Sequence, residues 1–337
     1  MATLGTEFPT LADLANRMDP DGSIAPIVEI LSETNEVLDD MPWLEGNLPT
    51  GHRTTIRSGI PEPTWRKIYE GVQPTRSTTV PVTENTGMLE AYSEVDRDLA
   101  ELNGNTPSFR LSEDAAHIEA MSQEKASTLF YGNEGTKPEA FTGLAPRFNE
   151  RNPATVPSGE NVLHGGGSGS DNTSVWLIVW VPHGIHGIYP KGTRAGLRIT
   201  DMGEVTIEDV DGEGGRMQAY RSHYQWKCGI AVRDWRYIVR IANIKVSELS
   251  GDASSGADLV DLMTRAMHLP PSLNAGRPAF YANRHIISAL DRQMKNAKNV
   301  NLTVDQLGGK RVLTFGGIPL RRCDAILNTE ATVPYTS

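Results

Sequence analysis

From His52 to Val95 the chain reads HRTTIRSGIPEPTWRKIYEGVQPTRSTTVPVTENTGMLEAYSEV, rich in Thr, Val, Ile, Trp and Tyr and broken by Pro61, Pro63, Pro74 and Pro81. β-Branched and aromatic residues favour an extended backbone. Proline offers no N–H to a ladder and is confined to exposed strands. Together they specify a long, ragged β-hairpin over residues 51–95, turning at Glu70-Gly71 and Gln73-Pro74. Arms of about 15 residues, at about 3.3 Å each, would reach about 50 Å. A two-stranded ribbon of that length is not stable alone in water. It must be laid on a neighbour, within the chain or on another subunit. Buried aromatic anchors dominate such contacts, which makes Trp65, Ile68, Tyr69 and Ile56 the candidate inter-subunit contact residues.

The flanking regions divide by pattern. Residues 1–50 read as an arm, with one short helix capped by Thr10 and a second after Pro26 carrying Ile27, Val28, Leu31 and Leu38. Residues 96–150 hold the clearest helix. Ser112 is its expected N-cap, Ala115, Ile118, Met121, Ala126 and Leu129 form its apolar face, and Gly132-Asn133 stops it. Residues 151–250 begin with a Gly/Ser/Pro/Asn-rich loop. Strands follow: the continuous apolar run SVWLIVWV, then GLRIT and GEVTIEDV. Next come an alternating strand with Tyr220, Tyr224, Trp226, Cys228 and Ile230 on one face, and YIVRIANI. Residues 251–326 are α then β. Asp258 and Asn283 cap helices, and KRVLTF and IPLRRCDAIL are strands joined at Gly316-Gly317. Residues 327–337 form a tail. The class is α+β, without an internal repeat.

Composition limits the chemistry. A formal net charge of -10 makes the chain a poor coat for nucleic acid, because phosphate binding needs clustered Lys and Arg. It can still enclose nucleic acid without gripping it. The beginning lacks a basic-then-apolar leader, and the longest apolar run, Val175 to Val181, is too short for a bilayer, so the expectation is a chain made in the cytoplasm with no membrane partner. Two cysteines, Cys228 and Cys323, make neither a disulfide framework nor a four-ligand zinc site. His183 and His186 could share a metal on a helical turn, but Pro182, Gly184 and Gly187 oppose a helix. The Asp209/Asp211 segment begins like a calcium loop, yet Tyr220 stands where that loop needs a bidentate Glu. The glycines at 165–169 lack a phosphate-loop pattern, and no nucleophile elbow is present. Trp176, Trp180, Trp226 and Trp235 on strands read as core. No catalytic residue, cofactor or metal is expected.

The order of arm, long hairpin, long helix and mixed body resembles the HK97-type capsid fold. The hairpin string, LSEDAAHIEAMSQEKASTLFYGN, FTGLAPRFN, WKCGIAVRDWRYIVRIANI and GGKRVLTFGGIPLRRCDAIL are similar to the podovirus major capsid family related to phage epsilon15 and Bordetella phage. The resemblance covers nearly the whole chain. It implies an N-terminal arm (1–50), an E-loop (51–95), a spine helix opening the peripheral domain (96–150), a strand block shared by the peripheral and axial domains (151–250) and an axial domain (251–326). FYANRHIISALDRQ and FGGIPLRRC come last here, so a circularly permuted connectivity is expected, with WKCGIAV and YIVRIANI forming a strand pair covered by the spine helix. The implied function is a major capsid protein, not an enzyme. It assembles in the host bacterial cytoplasm into the hexamers and pentamers of a virion shell. The implied partners are a portal protein, a scaffolding protein and a cement or decoration protein, and the shell encloses double-stranded DNA without sequence-specific binding. Two other readings stand beside it: an encapsulin-like compartment of the same fold, and a metal-dependent enzyme using His183, His186 and the Asp209/Asp211 turn.

Overall fold

The computed structural model describes residues 33–102, 106–182, 184–208, 214–249, 256–295, 302–307 and 310–336. In chain order its helices and strands are α1 (Val37–Asp40), β1 (Trp43–Glu45), β2 (Gly51–Gly59), β3 (Thr78–Asn85), β4 (Gly87–Asp96), α2 (Arg97–Glu101), α3 (Thr106–Tyr131), β5 (Val162–His164), β6 (Asn172–Trp180), β7 (Ile185–Tyr189), β8 (Leu197–Glu208), β9 (Arg216–Val232), β10 (Ile238–Lys245), α4 (Leu259–His268), β11 (Arg277–Ala282), α5 (Arg284–Lys295), β12 (Leu302–Leu307), β13 (Lys310–Phe315) and β14 (Ile318–Arg322). The architecture is mixed α+β, as the patterns require. The arm helix at Thr10 and residues Ile27, Val28 and Leu31 lie outside the described residues; Leu38 falls on α1.

The apolar run from Ser174 becomes β6, buried along its whole length. It is central to a seven-stranded sheet of order β12-β13-β14-β11-β6-β10-β5 and runs antiparallel to both neighbours. Period-2 alternation sends its side chains to two faces. Trp176, Ile178 and Trp180 meet Ala126, Leu129 and Phe130 of α3 together with Phe148. Val175 and Leu177 meet Leu259, Leu262 and Met263 of α4 and Ile286 and Leu290 of α5. Each such side chain contributes about 1.5–3 kcal/mol on burial. The Asp261 N–H donates to Asp258 Oδ1 and the Ile286 N–H to Asn283 Oδ1, each at 3.1 Å, so both expected caps form.

A second sheet has the order β1-β7-β9-β4, with β8 paired to the other edge of β9. The 17 residues of β9 explain how one strand serves three partners: Ala219 to Cys228 face β4, Arg216 to Trp226 face β8, and Gly229 to Val232 face β7. Phe109, near the start of α3, is buried against Val95, Leu99 and Ala100 at the end of this sheet. The 26 residues of α3 span about 39 Å at about 1.5 Å each, so one helix packs on both sheets.

The C-terminal segment straps the body together. Glu330 accepts from the Arg240 guanidinium at 2.9 Å, with both side chains almost fully buried, and from the Tyr131 and Ser174 hydroxyls. Asn243 exchanges two hydrogen bonds with the backbone of Val333, and Glu150 receives the Thr336 N–H and hydroxyl.

Several expectations change. Residues 87–96 are not the far arm of the hairpin but β4, paired with β9 in the second sheet. The ribbon proper is β2 with β3, and its turn lies at Lys67–Glu70, where the Glu70 N–H donates to the Lys67 carbonyl. Helix α3 starts at Thr106, before Ser112, because Pro107 in the first turn needs no N–H partner there. Ala115 is exposed and Phe109 buried, since the helix meets two sheets in succession rather than presenting one stripe. WKCGIAV and YIVRIANI do not pair: the first lies in β9 of the second sheet and the second in β10 of the seven-stranded sheet. Trp235 sits half-buried in a 3-10 turn between them. Residues 302–307, unassigned from sequence, form β12 against β13.

Candidate assembly surface

The ribbon pairs from Gly51↔Asn85 to Gly59↔Thr78. Residues 60–77 carry no strand. Here Trp65 and Tyr69 are 100% exposed, Ile60 84% and Ile68 79%. Isolated apolar residues are ordinary on a surface, but four on one projecting loop form a patch of the kind that marks an interface. Tyr69 also holds a φ of 68°, in the left-handed region that costs a residue with a Cβ about 1 kcal/mol or more. Three of the four sequence candidates, Trp65, Ile68 and Tyr69, thus share the tip. Ile56 does not: it stands half-buried on β2 opposite Val80.

The root of the ribbon is fixed to the body. Glu84, nearly buried, accepts from both Arg147 terminal nitrogens at 2.8 and 2.6 Å, and Arg147 also donates to the carbonyls of Gly143 and Thr142. Asn47 brackets β2 by donating to the Arg53 carbonyl and accepting the Arg53 N–H. His52, buried beside the Arg233 guanidinium, is held below the usual histidine value, first by burial and then by that charge. Sequence reasoning missed Glu84 and Arg147 because they lie 63 residues apart, and only the fold makes them partners.

It also missed Lys125. This α3 lysine is 3% exposed. Its ammonium lies 3.3 Å from the centre of the Trp226 ring and 4.4 Å from that of Trp43, tying α3 to β9 and β1. Burial pushes its pKa down to about 8, against smaller upward pulls from Cys228 and Asp39. A lysine inside a string otherwise read as an apolar helix face was the available signal.

The residues weighed for chemistry do not converge. His183, Asp209, Asp211 and Glu213 lie outside the described residues. His186 is buried on β7, its ring edge-on to His52 at 5.9 Å. Among the described residues no three His, Cys, Asp or Glu side chains are placed to hold a metal. Cys228 and Cys323 are buried free thiols. Burial pushes them up to about 11 and about 12, which leaves neither as the thiolate that nucleophilic chemistry needs. No helix among the described residues is long and apolar enough to cross a membrane.

The family model for the major capsid protein GP7 matches residues 19–334. No curated protein matches the chain. Among solved structures, a chain of the near-atomic structure of bacteriophage Epsilon15 is 41% identical, with 99% of each chain covered and a TM-score of 0.80. The capsid of bacteriophage JBD30 matches at 8% identity over 88% of this chain and 92% of that one, with a TM-score of 0.45. The SrpI encapsulin of Synechococcus elongatus matches at 11% identity over 65% and 90%, with a TM-score of 0.40. With a family match over nearly its whole length and a full-length relative of the same fold, the chain belongs to the major capsid protein GP7 family, whose members are shell-building structural proteins of phage virions.

Proposed function

We propose that the chain builds hexamers and pentamers of an icosahedral shell, and that its ribbon is laid on a neighbouring subunit through Trp65, Ile68 and Tyr69, with Ile56 stiffening the arm behind them. The observation that carries this reading is the projecting tip, with Trp65 and Tyr69 fully exposed and Ile60 and Ile68 nearly so. Covering each side chain of this kind contributes about 1.5–3 kcal/mol, and within one subunit nothing covers them. The seven-stranded sheet with α4 and α5 corresponds to the axial domain. The second sheet with the first half of α3 corresponds to the peripheral domain. The threading is read as a permutation of the commoner HK97-type order, a reading supported by α5 and β14 packing in the first layer and β9 beside α3 in the second. The shell encloses double-stranded DNA without sequence-specific contacts, consistent with a net charge of -10. Assembly takes place in the host bacterial cytoplasm with portal and scaffolding proteins, and a cement protein can add to the finished surface.

Replacing residues 60–77 by a short Gly/Ser linker tests the central point. The subunit should melt as the parent does and fail to give stable particles by electron microscopy. Trp65→Ala with Ile68→Ala should weaken particles in the same direction. Normal particles from the linker variant would refute the ribbon's role while leaving the family membership intact.

A further inference from the structure

The hairpin of β8 and β9 is electrically polar along its length. From Tyr189 to Thr200 the sequence YPKGTRAGLRIT holds three bases and no acid, whereas from Gly203 to Gly215 GEVTIEDVDGEGG holds five acids and no base. At the basic end a cavity of about 630 Å³ opens between the loop after β7 and the middle of β9, lined by Thr193, Arg194, Arg198, Gln225 and Lys227. Arg194 and Arg198 are exposed and form no ion pair with a described residue. The acids flanking them are already engaged. Glu45 accepts the Gly192 N–H at 2.7 Å, and Glu90 accepts from Gln225 with Lys227 nearby. At the other end Glu204 pairs with Arg97 and Glu208 with Arg216. Asp209, Asp211 and Glu213, which follow directly in sequence, leave that end with more acids than bases.

We infer that the acidic segment 204–213 of one copy docks into the basic cavity of the next copy, head to tail. Ten residues of β8 separate Arg198 from Glu208, about 33 Å at about 3.3 Å each. Charges so far apart are screened from one another at a Debye length of about 8 Å, so the two ends cannot neutralise each other within a subunit. A second copy carries the complement of each. Such a heterologous contact repeats in one direction and closes into rings when the rotation allows. Copies bearing a net charge of -10 repel broadly, and a basic recess is where an acidic segment can approach closely. Contacts of this kind set orientation and association rate more than affinity, which suits a subunit that must choose one register among many. The inference rests on the shell-building reading and adds to it which surfaces meet.

Charge swapping tests it in the full-length chain. One variant carries Arg194→Glu and Arg198→Glu. Another carries Glu208→Lys, Asp209→Lys and Asp211→Lys. At physiological salt each set alone should lower particle yield about tenfold or more through like-charge repulsion, with the melting curve of the unassembled subunit unchanged. The two sets combined should restore most of the yield. Either set alone assembling like the parent, or a combination no better than its parts, overturns the inference. So does a basic-end variant that assembles normally but packages less DNA, which would make phosphate the occupant. Should a reversed set melt early, Arg194→Cys with Glu208→Cys gives an independent reading. An intermolecular disulfide that neither single cysteine forms supports the contact, and its absence overturns it. A parent chain that stays monomeric overturns the shell-building reading and this inference together, whereas particles indifferent to charge reversal overturn this inference alone.

Discussion

Lys125 gives the sharpest quantitative test of the packing between α3 and its two flanking strands. Its pKa of about 8 lies below the ordinary 10.5. Below pH 8 the lysine is protonated in both folded and unfolded chains, and the folded state bears the cost of burying the charge. Between about 8 and 10.5 the folded lysine is neutral while the unfolded one still holds its proton. Stability rises with pH wherever the unfolded state binds more protons. The gap, at about 1.4 kcal/mol per pH unit, is worth about 3 kcal/mol in total. Lys125→Met keeps the volume and the contact with the Trp226 and Trp43 rings while removing the titration. Urea unfolding of both subunits at pH 7 and at pH 10.5 should therefore show the parent gaining about 3 kcal/mol relative to the variant. At pH 7 the two should be close, because the indole faces offset part of the burial cost by about 0.5–2 kcal/mol each. Other groups titrate in this range, but they are common to both proteins and cancel in the difference. A difference that stays flat across the range would show that Lys125 remains charged in the fold, and the account of its burial would be wrong.

Three other outcomes follow from the same geometry. Glu84→Gln leaves Arg147 without its carboxylate at the root of the ribbon and should cost about 2 kcal/mol in urea unfolding, with Arg147→Met in the same background recovering part of it. Glu330→Ala strands the buried Arg240 guanidinium and the Tyr131 hydroxyl and should cost about 3–5 kcal/mol; a change below about 1 kcal/mol would mean that water or rearrangement replaces the carboxylate. Glu150 is held at about 2, below its ordinary 4.5, first by the Thr336 hydroxyl and then by the Thr336 N–H. Its depressed value means that the stabilisation is present above pH 4.5 and lost as pH falls toward 2. Hydrogen exchange at Thr336 should accelerate across that window, while Glu150→Gln should already show fast exchange at pH 7.

How far the sequence could be read varied by element. β6 was legible because eight successive apolar residues leave only a buried strand. The helices α4 and α5 were legible because Asp258 and Asn283 cap them, and caps are local chemistry. The ribbon was half legible. Its prolines and β-branched residues marked an exposed extended arm, but the same residue types run on through Met88 to Val95, and nothing local says that β4 leaves the ribbon at Gly87 to pair with β9. That change of partner depends on Gly87 and Cys228 standing opposite each other, 141 positions apart in the chain. The start of α3 was misread for a related reason: Ser112 is a good cap in isolation, yet Phe109 finds a pocket among Val95, Leu99 and Ala100 that carries the helix back to Thr106.

At the candidate interface the apolar residues of the ribbon could be named from sequence, because Trp65, Ile68 and Tyr69 sit between prolines where no core can form around them. Their full exposure could not, since exposure depends on what the rest of the chain fails to cover. Sequence alone determined the class of elements, the capped helices, the buried central strand, the lack of a catalytic pattern and the polarity of charge along β8, because each is set by residues within a few positions of one another. Only the tertiary structure decided that the two apolar strands after Tyr220 enter different sheets, that Glu84 finds Arg147, that Glu330 finds Arg240 and that Lys125 lies between Trp226 and Trp43. Those pairings form across distant parts of the chain, where the entropy of closing a loop is recovered only once the whole fold is in place.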